Sequence, residues 1–453
     1  MSAELARTAE QDNVRELQRT LYRAAKADPG RRFHALYDKV HRRDVLERAW
    51  GLVRANRGAA GIDRKTIADV EQYGVSRLLD ELAADLKNGR WRPLAARRVF
   101  IPKPGREELR PLSIPSVRDR VVQAAAKIVI EPIFEADFLP CSFGFRPKRS
   151  AHDALQVLID ESWRRRRWVL ETDVANCFEA IPHAGLMSAI QERISDRNIL
   201  KLLHAMLRAG VMQDGAVRRD VAGTPQGGVI SPLLANVYLH RLDRCWRARG
   251  RGVLVRYADD LVVLCHNQRD AERALAALTA IMAEMGLELK QAKTRIVHLA
   301  EGGEGLDFLG FHHRWVRMTG QRHRHITFLA RWPSRAAMQR ARDRIREITE
   351  RKWLSQPVEE VVQDLNRFLR GWTGYFRYGH SARHFDRIGH YAIRRLALFV
   401  AKRHKRARGY GMTIVAYRSP NRMGLFPLHG IVVSPRPNKS WRARPNAGGK
   451  GRR

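Results

Sequence analysis

The chain has 453 residues, 44% of them hydrophobic, which is enough for two or three domains with substantial cores. Its 84 Lys and Arg against 47 Asp and Glu give a net charge of +37, far more than solubility requires, so a polyanion is the natural partner. No apolar run approaches the roughly 18 to 20 residues of a membrane span, and Cys141, Cys177, Cys245 and Cys265 are too scattered for a CxxC zinc pair or a disulfide framework.

The cysteines read as buried free thiols. His312-His313 and the alternating run Arg322–His325 read as surface or RNA-facing, since no HExxH motif occurs. The first residues lack the apolar stretch of a signal peptide, so the expected location is cytoplasmic, with the nucleoid a natural association for so basic a chain.

Residues 1–45 are polar and read as helical. After a Gly58/Gly61 break, Leu78, Leu79, Leu82 and Leu86 recur at helical spacing, completing a helical extension over 1–95. Short β-like runs on either side of Pro104-Gly105 predict a basic hairpin, and the stretch from Val117 predicts a helix ending near Pro132. Trp168–Val174 reads as a buried strand delivering Asp173 at its end. A helix is expected over Leu186–Leu207, then a loop at Ala222–Gly228, then a helix with Leu233, Leu234, Val237, Tyr238 and Leu242 on one face.

Val253–Val255 and Leu261–Cys265 bracket Tyr257-Ala258-Asp259-Asp260 as a hairpin, and a helix follows over Ala271–Met285. Strands separated by helices predict an α/β sheet with its chemistry at strand ends and loops. From Arg331 the pattern turns helical. Ala337, Ala341, Ile345 and Ile348 form one apolar stripe; Val361, Leu365, Phe368 and Leu369 a second; Ile388, Tyr391, Ala392, Leu396 and Phe399 a third, which predicts a three-helix bundle. Between Arg331 and Arg453 there are 29 basic and 7 acidic residues, so these helices lack the mixed charge of a merely solvated surface. Residues 434–453 have the composition of a disordered basic tail.

Adjacent carboxylates beside apolar strands repel one another and resist desolvation unless a cation neutralises them; hard oxygen ligands favour Mg²⁺. Read alone, Asp259 and Asp260 suit a solvated turn better, and the two readings separate on whether a third carboxylate and a nucleotide site lie elsewhere in the chain. Asp173 stands 86 residues before Asp259 at a predicted strand end. Were the two strands neighbours, a pair of Mg²⁺ ions roughly 3.5 to 4 Å apart could activate a primer 3′-hydroxyl and steady the leaving pyrophosphate, which is nucleotidyl transfer.

The ordered stretches GAAGID, RRVFIPKPG with RPLSIP, DRVVQ, EPIFE, SFGFRPKRS, GTPQGGVISPLLAN, RYADD, LKQAKT, DFLGF and GWTGYFRYG resemble reverse transcriptases, specifically those encoded by bacterial group II introns. The resemblance covers roughly residues 46 to 430. It implies a right-hand polymerase, α/β overall with an α+β palm: a helical extension over 1–95, fingers over 96–165, palm over 166–330 and an all-α thumb, the maturase domain, over 331–433. It implies an RNA-directed DNA polymerase that copies intron RNA into cDNA and helps that RNA to splice. Its partners would be group II intron RNA, an RNA template with a DNA primer, target DNA and dNTPs, with no membrane; monomer and homodimer both stay open.

By this resemblance the catalytic residues are Asp173, Asp259 and Asp260. Asp173 and Asp259 would bind two Mg²⁺ ions directly, with the Val174 carbonyl assisting and Asp260 in support. Phe178 would sit under the sugar and exclude a 2′-hydroxyl; read alone it is equally a core residue. Lys103 and Arg110 would grip the triphosphate, though each would also pass as surface charge. Gln226 would contact the incoming nucleotide, Gly227 and Gly228 would permit close backbone approach, and Lys293 would approach the pyrophosphate as a general acid. Phe308, Leu309, Gly310 and Phe311 resemble the primer grip and would also serve as plain core.

Where many relatives have Lys-Gly-Phe-Phe-Asp after the first aspartate, this chain has Ala175-Asn176-Cys177-Phe178-Glu179, which keeps the ring. No Cys follows Cys265, so the zinc-stabilised HNH endonuclease of many relatives is expected to be absent. Three other readings fit parts of the pattern: a splicing-only maturase, a reverse transcriptase recruited to a host task such as phage defence, and an RNA-dependent RNA polymerase. The complete aspartate set opposes the first, GWTGYF with the basic carboxyl segment the second, and Phe178 the third.

Overall fold

The computed structural model describes residues 2–102, 109–213, 216–218, 223, 227–318, 326–419 and 421–433, with the side chains of 2–11, 213, 216 and 217 left aside. The chain divides into two compact units, Met1–His298 and Leu299–Arg453.

The first unit opens with α1 (Ser2–Ala27), α2 (Arg43–Asn56), α3 (Ile67–Tyr73) and α4 (Val75–Lys87). Thr66 and Asp69 form a reciprocal capping box that starts α3, and Leu78, Leu79, Leu82 and Leu86 are all buried on α4, as their spacing predicts. The hairpin strands β1 (Ala96–Pro102) and β2 (Leu109–Ile114) pair antiparallel; the Pro104-Gly105 turn lies outside the described residues.

Next come α5 (Val117–Glu135), α6 (Ala151–Trp163), β3 (Trp168–Asp173), α7 (His183–Gln191) and α8 (Arg197–Arg208). Two of these depart from the sequence pattern. Helix α5 continues past Pro132 instead of ending near it. Proline has no N–H for the Ile128 carbonyl, and Gln18 Nε2 of α1 donates to that carbonyl at 3.2 Å instead. The expected helix over Leu186–Leu207 is broken into α7 and α8 by Asp196. One carboxylate oxygen of Asp196 caps α8 through Asn198 N and Ile199 N, while the other accepts from Leu36 N and Tyr37 N, a tertiary demand no local pattern reports.

Two three-residue strands that the sequence did not suggest, β4 (Val211–Gln213) and β5 (Ala216–Arg218), extend the hairpin into a sheet of order β2-β1-β4-β5, with β4 parallel to β1. Then α9 (Ser231–Arg249), β6 (Val253–Tyr257), β7 (Asp260–Cys265), α10 (Gln268–Glu284) and β8 (Arg295–His298) complete the unit.

The second sheet, order β6-β7-β3-β8, is antiparallel throughout. Leu261, Val262, Val263 and Leu264 are consecutive and fully buried, so β7 is covered on both faces; α10 packs on β3 and β7, and α6 on β6. Among the described residues no helix is long and apolar enough to cross a membrane.

The second unit places a three-stranded sheet before its helices: β9 (Leu306–Phe308), β10 (Phe311–Arg317) and β11 (Thr327–Pro333), order β11-β10-β9. Helices α11 (Arg335–Ile348), α12 (Val358–Phe376) and α13 (Ala382–Arg403) follow and pack on one another. The three apolar stripes face the core, with Phe368 and Tyr391 only partly buried.

His313, expected at the surface, is instead fully buried on β10, opposite Arg331 on β11, and burial first, then Arg331, push its imidazole down to about 3. The unfolded chain takes up this proton near pH 6.5 and the folded chain does not, so stability falls as pH drops through the window between those values. His313→Leu is expected to flatten the loss of unfolding free energy between pH 7 and 4 by up to about 1.4 kcal/mol per pH unit, measured by denaturant unfolding across that range. An unchanged slope would mean that His313 does not contribute to acid sensitivity.

Candidate active site

Strand β3 ends on Asp173, and the β6–β7 hairpin turns through Ala258 and Asp259 alone, since Tyr257 pairs with Asp260. Asp173 is the register partner of Asp260 on the adjacent strand, so the three carboxylates gather at one end of the sheet. The turn puts a non-glycine residue, Ala258, at φ 58°.

Val174 continues beyond β3. Its N–H donates to the Asp259 carbonyl at 3.2 Å, while Ala175 N donates to Glu288 O and Lys290 N to Asp173 O, each at 2.8 Å. Those flanking bonds form the Val174–Leu289 bridge, so the N–H and carbonyl of Val174 itself are directed away from Leu289, to the side where Asp259 lies.

Only 7% of Asp173 is exposed. Its Oδ2 accepts from Lys293 Nζ at 2.5 Å, and the same ammonium lies 3.7 Å from Asp260 Oδ1. Lys293 stands on a short 3-10 turn, Gln291–Lys293, steadied by Thr294, whose Oγ1 meets Thr172 Oγ1 at 2.7 Å. Desolvation, then the charge of Asp173, raises Asp259 above the ordinary carboxylate range; Lys293 and Arg110 pull the other way. Desolvation followed by Asp173 and Asp259 pushes Asp260 up to about 7.

Among the described residues no three His, Cys, Asp or Glu side chains form a ready cage for an ion. The donor set nevertheless fits a hard divalent cation. Asp173 Oδ1 is buried without a hydrogen-bond partner, two further carboxylates stand beside it, and their mutual repulsion is what a cation relieves.

Phe178 lies on the single helical turn Cys177–Ala180, entered through Asn176 at φ 45°, and is partly buried against the core. Gly223 is bound to the end of this segment: its N–H donates to Ile181 O at 2.8 Å and its carbonyl accepts from His183 Nε2 at 2.5 Å. Gly227, at φ 115°, leaves no room for a side chain, since a Cβ there would lie 2.5 Å from Ser113 O on β2. Val229 N donates to Gln123 Oε1 at 2.9 Å. Gly223 is thus tied to the Phe178 segment, and Gly227 and Val229 to β2 and α5. Gln226 itself and Lys103 lie outside the described residues. Arg110 is exposed on β2, paired with Ile101 of β1.

In the second unit, Leu309 and Gly310, both at positive φ, make the two-residue turn between β9 and β10. The rings of Phe308 and Phe311 are buried, 4% and 0% exposed, and belong to that unit's core. The turn is fixed through its backbone, Tyr375 Oη donating to Leu309 O at 2.8 Å and Ser334 N to Gly310 O at 2.9 Å. All four cysteines are free thiols; Cys177 and Cys265 are buried and Cys141 and Cys245 partly so.

Sequence reasoning missed the support behind the turn. Arg256, inside the apolar run of β6, is fully buried and bound to Asp243 and Asn236 of α9 and to Ser142. A charged residue flanked by Val255 and Tyr257 in a buried strand was the signal available, because such a charge requires partners.

Carboxylates from two neighbouring antiparallel strands, a lysine between them and an anchored glycine loop define the palm of a template-directed nucleotidyltransferase. Residues 101–313 match the reverse transcriptase (RNA-dependent DNA polymerase) family, and residues 338–414 match the group II intron, maturase-specific domain. The chain is 36% identical to protein YkfC of Escherichia coli K12 over 346 residues, 67% of this chain and 88% of that protein. It is 37% identical to the group II intron-encoded protein LtrA of Lactococcus lactis over 213 residues, 47% of this chain and 35% of LtrA. An uncharacterized 91 kDa protein in a cob intron of Schizosaccharomyces pombe is 27% identical over 418 residues, 76% of this chain and 51% of that protein. The chain belongs to the reverse transcriptase family, in its group II intron branch with a maturase-specific domain, and is an RNA-directed DNA polymerase.

Without metal, the folded site retains protons that the unfolded aspartates release, so its contribution to stability falls as pH rises from about 4 through about 7. A divalent cation offsets this only where the carboxylates are ionised. Mg²⁺ is therefore expected to raise the melting temperature more at pH 8 than at pH 5.5 in a thermal-shift titration. Equal shifts at the two pH values would place its binding elsewhere.

Proposed function

We propose that the protein copies group II intron RNA into cDNA and binds that RNA to assist its splicing. The observation that carries the polymerase reading is the pairing of Asp173 with Asp260 in register, Asp259 at the intervening turn and Lys293 against Asp173. In this reading Asp173 and Asp259 would hold two Mg²⁺ ions, with the Val174 carbonyl assisting and Asp260 in support. Bound magnesium would supply Lewis acidity that favours ionisation of a primer 3′-hydroxyl and stabilises charge on the departing pyrophosphate.

The chain's own residues do the rest. Lys293 moves from Asp173 toward the pyrophosphate and supplies a proton to it. Arg110, close enough to Asp259 to lower its carboxyl, grips the triphosphate together with Lys103. Gln226 contacts the incoming dNTP from a loop anchored at Gly223 and Gly227, and Phe178 blocks a 2′-hydroxyl. Template and primer reach the site as an RNA–DNA pair, and the stretch Phe308–Phe311 serves as a primer grip. The arginine-rich helices of the second unit bind intron RNA mainly through phosphates.

Asp259→Ala is expected to reduce primer extension on an RNA template by roughly a thousandfold or more, leaving RNA binding within about twofold. Retained extension would refute the assignment. Phe178→Ala should raise ribonucleotide incorporation relative to dNTPs by roughly 10- to 100-fold in a competition assay, and no change would return Phe178 to the core. In filter binding, log K for intron RNA should fall linearly and steeply with log salt; a flat response would exclude phosphate-dominated binding.

A further inference from the structure

The turn that carries Asp259 is held from behind by a buried side chain. Arg256 is fully buried and all its donor nitrogens are engaged. Nε donates to Asp243 Oδ1 at 2.8 Å and Nη2 to Asp243 Oδ2 at 2.6 Å; Nη2 also donates to Ser142 Oγ at 2.8 Å, and Nη1 to Asn236 Oδ1 at 2.9 Å. The remaining bond leads to the site: Nη1 donates to the Ala258 carbonyl at 3.1 Å. That carbonyl belongs to the peptide plane that carries the Asp259 N–H.

The same partners fix the turn from a second side. Asn236 Nδ2 donates to Gly144 O at 2.8 Å, and a Cβ on Gly144 would lie 2.4 Å from Ala258 N, so the 141–144 segment lies directly on the turn. The backbones of this segment and β6 are joined by Arg256 N to Cys141 O and Phe143 N to Arg256 O, both 2.8 Å. Ala258 needs such support, since a non-glycine residue at φ 58° persists only where its surroundings over-determine it.

A fully desolvated Arg–Asp pair adds little net stability over an apolar pair of the same volume, but its bonds are directional. We propose that Arg256, oriented by Asp243 and Asn236, is a positioning residue that fixes the Ala258–Asp259 peptide and thereby sets the affinity of the site for its divalent cation. This rests on the reading of Asp259 as a metal ligand.

The test uses the full chain with Mn²⁺ as the probe, its binding followed by electron paramagnetic resonance, alongside melting temperature and amide hydrogen exchange of the 255–261 peptide. Asp259→Ala checks the underlying reading: Mn²⁺ binding as tight as in the unaltered protein would overturn that reading, independently of Arg256. The double variant Arg256→Met/Asp243→Leu replaces the pair with apolar volume and removes the donor to Ala258. It should melt near the unaltered protein, bind Mn²⁺ about tenfold more weakly, and exchange faster over 255–261. Primer extension should need about tenfold more Mg²⁺ for half-maximal rate. A folded double variant with unaltered Mn²⁺ affinity would overturn the proposal. Should that variant not fold, Asn236→Ala decides: weaker Mn²⁺ binding at an unaltered melting temperature supports the proposal, and unaltered binding contradicts it.

Discussion

Three carboxylates gathered at the end of a buried sheet are the constraint around which the first unit is arranged. Strand β7 is fully buried from Leu261 to Leu264, and its neighbour β3 is buried at Val169, Leu170 and Thr172, so the aspartates at their ends lose water as the sheet packs. Asp259 and Asp260 respond with raised carboxyl pKa values, and Asp173 leaves one buried oxygen without a partner. Such a cluster is unfavourable by itself and becomes favourable when positive charge is delivered to it. In the chain alone that charge comes from Lys293, and the excess negative charge that remains suits a hard divalent cation.

The neighbouring elements follow from this demand. The strand register puts Asp173 opposite Asp260, and the two-residue turn lifts Asp259 beside Val174. The strained turn is held by a second, fully neutralised set of charges, Arg256 with Asp243, deeper in the same unit. The two sets work oppositely: the deep pair is closed, with its donors used, whereas the carboxylate cluster is left under-neutralised.

The sequence showed this site wherever a local pattern reported a tertiary fact. Apolar runs bracketing Asp259-Asp260, and an aspartate ending the Trp168–Val174 run, located both strands because β period and burial are short-range signals. The three helical stripes of the second unit were legible for the same reason. What stayed hidden depends on partners distant in the chain: Gln18 letting α5 continue through Pro132, Asp196 dividing α7 from α8, and Arg256 meeting Asp243, Asn236 and Ser142. The primer-grip motif shows the converse limit. Its aromatic rings are core, and between them lies a two-residue turn at positive φ, which residue types alone do not reveal.

The central claim is that Lys293 stands where the catalytic cation's charge belongs and gives way to it. A crystal structure of the protein with primer, RNA template, a non-reacting dNTP analogue and Ca²⁺ tests this most directly. The account predicts that Asp173 and Asp259 ligate the same ion, with Lys293 moved from Asp173 toward the phosphates. An ion bound away from these aspartates, or Lys293 still hydrogen-bonded to Asp173 in the loaded complex, would contradict it.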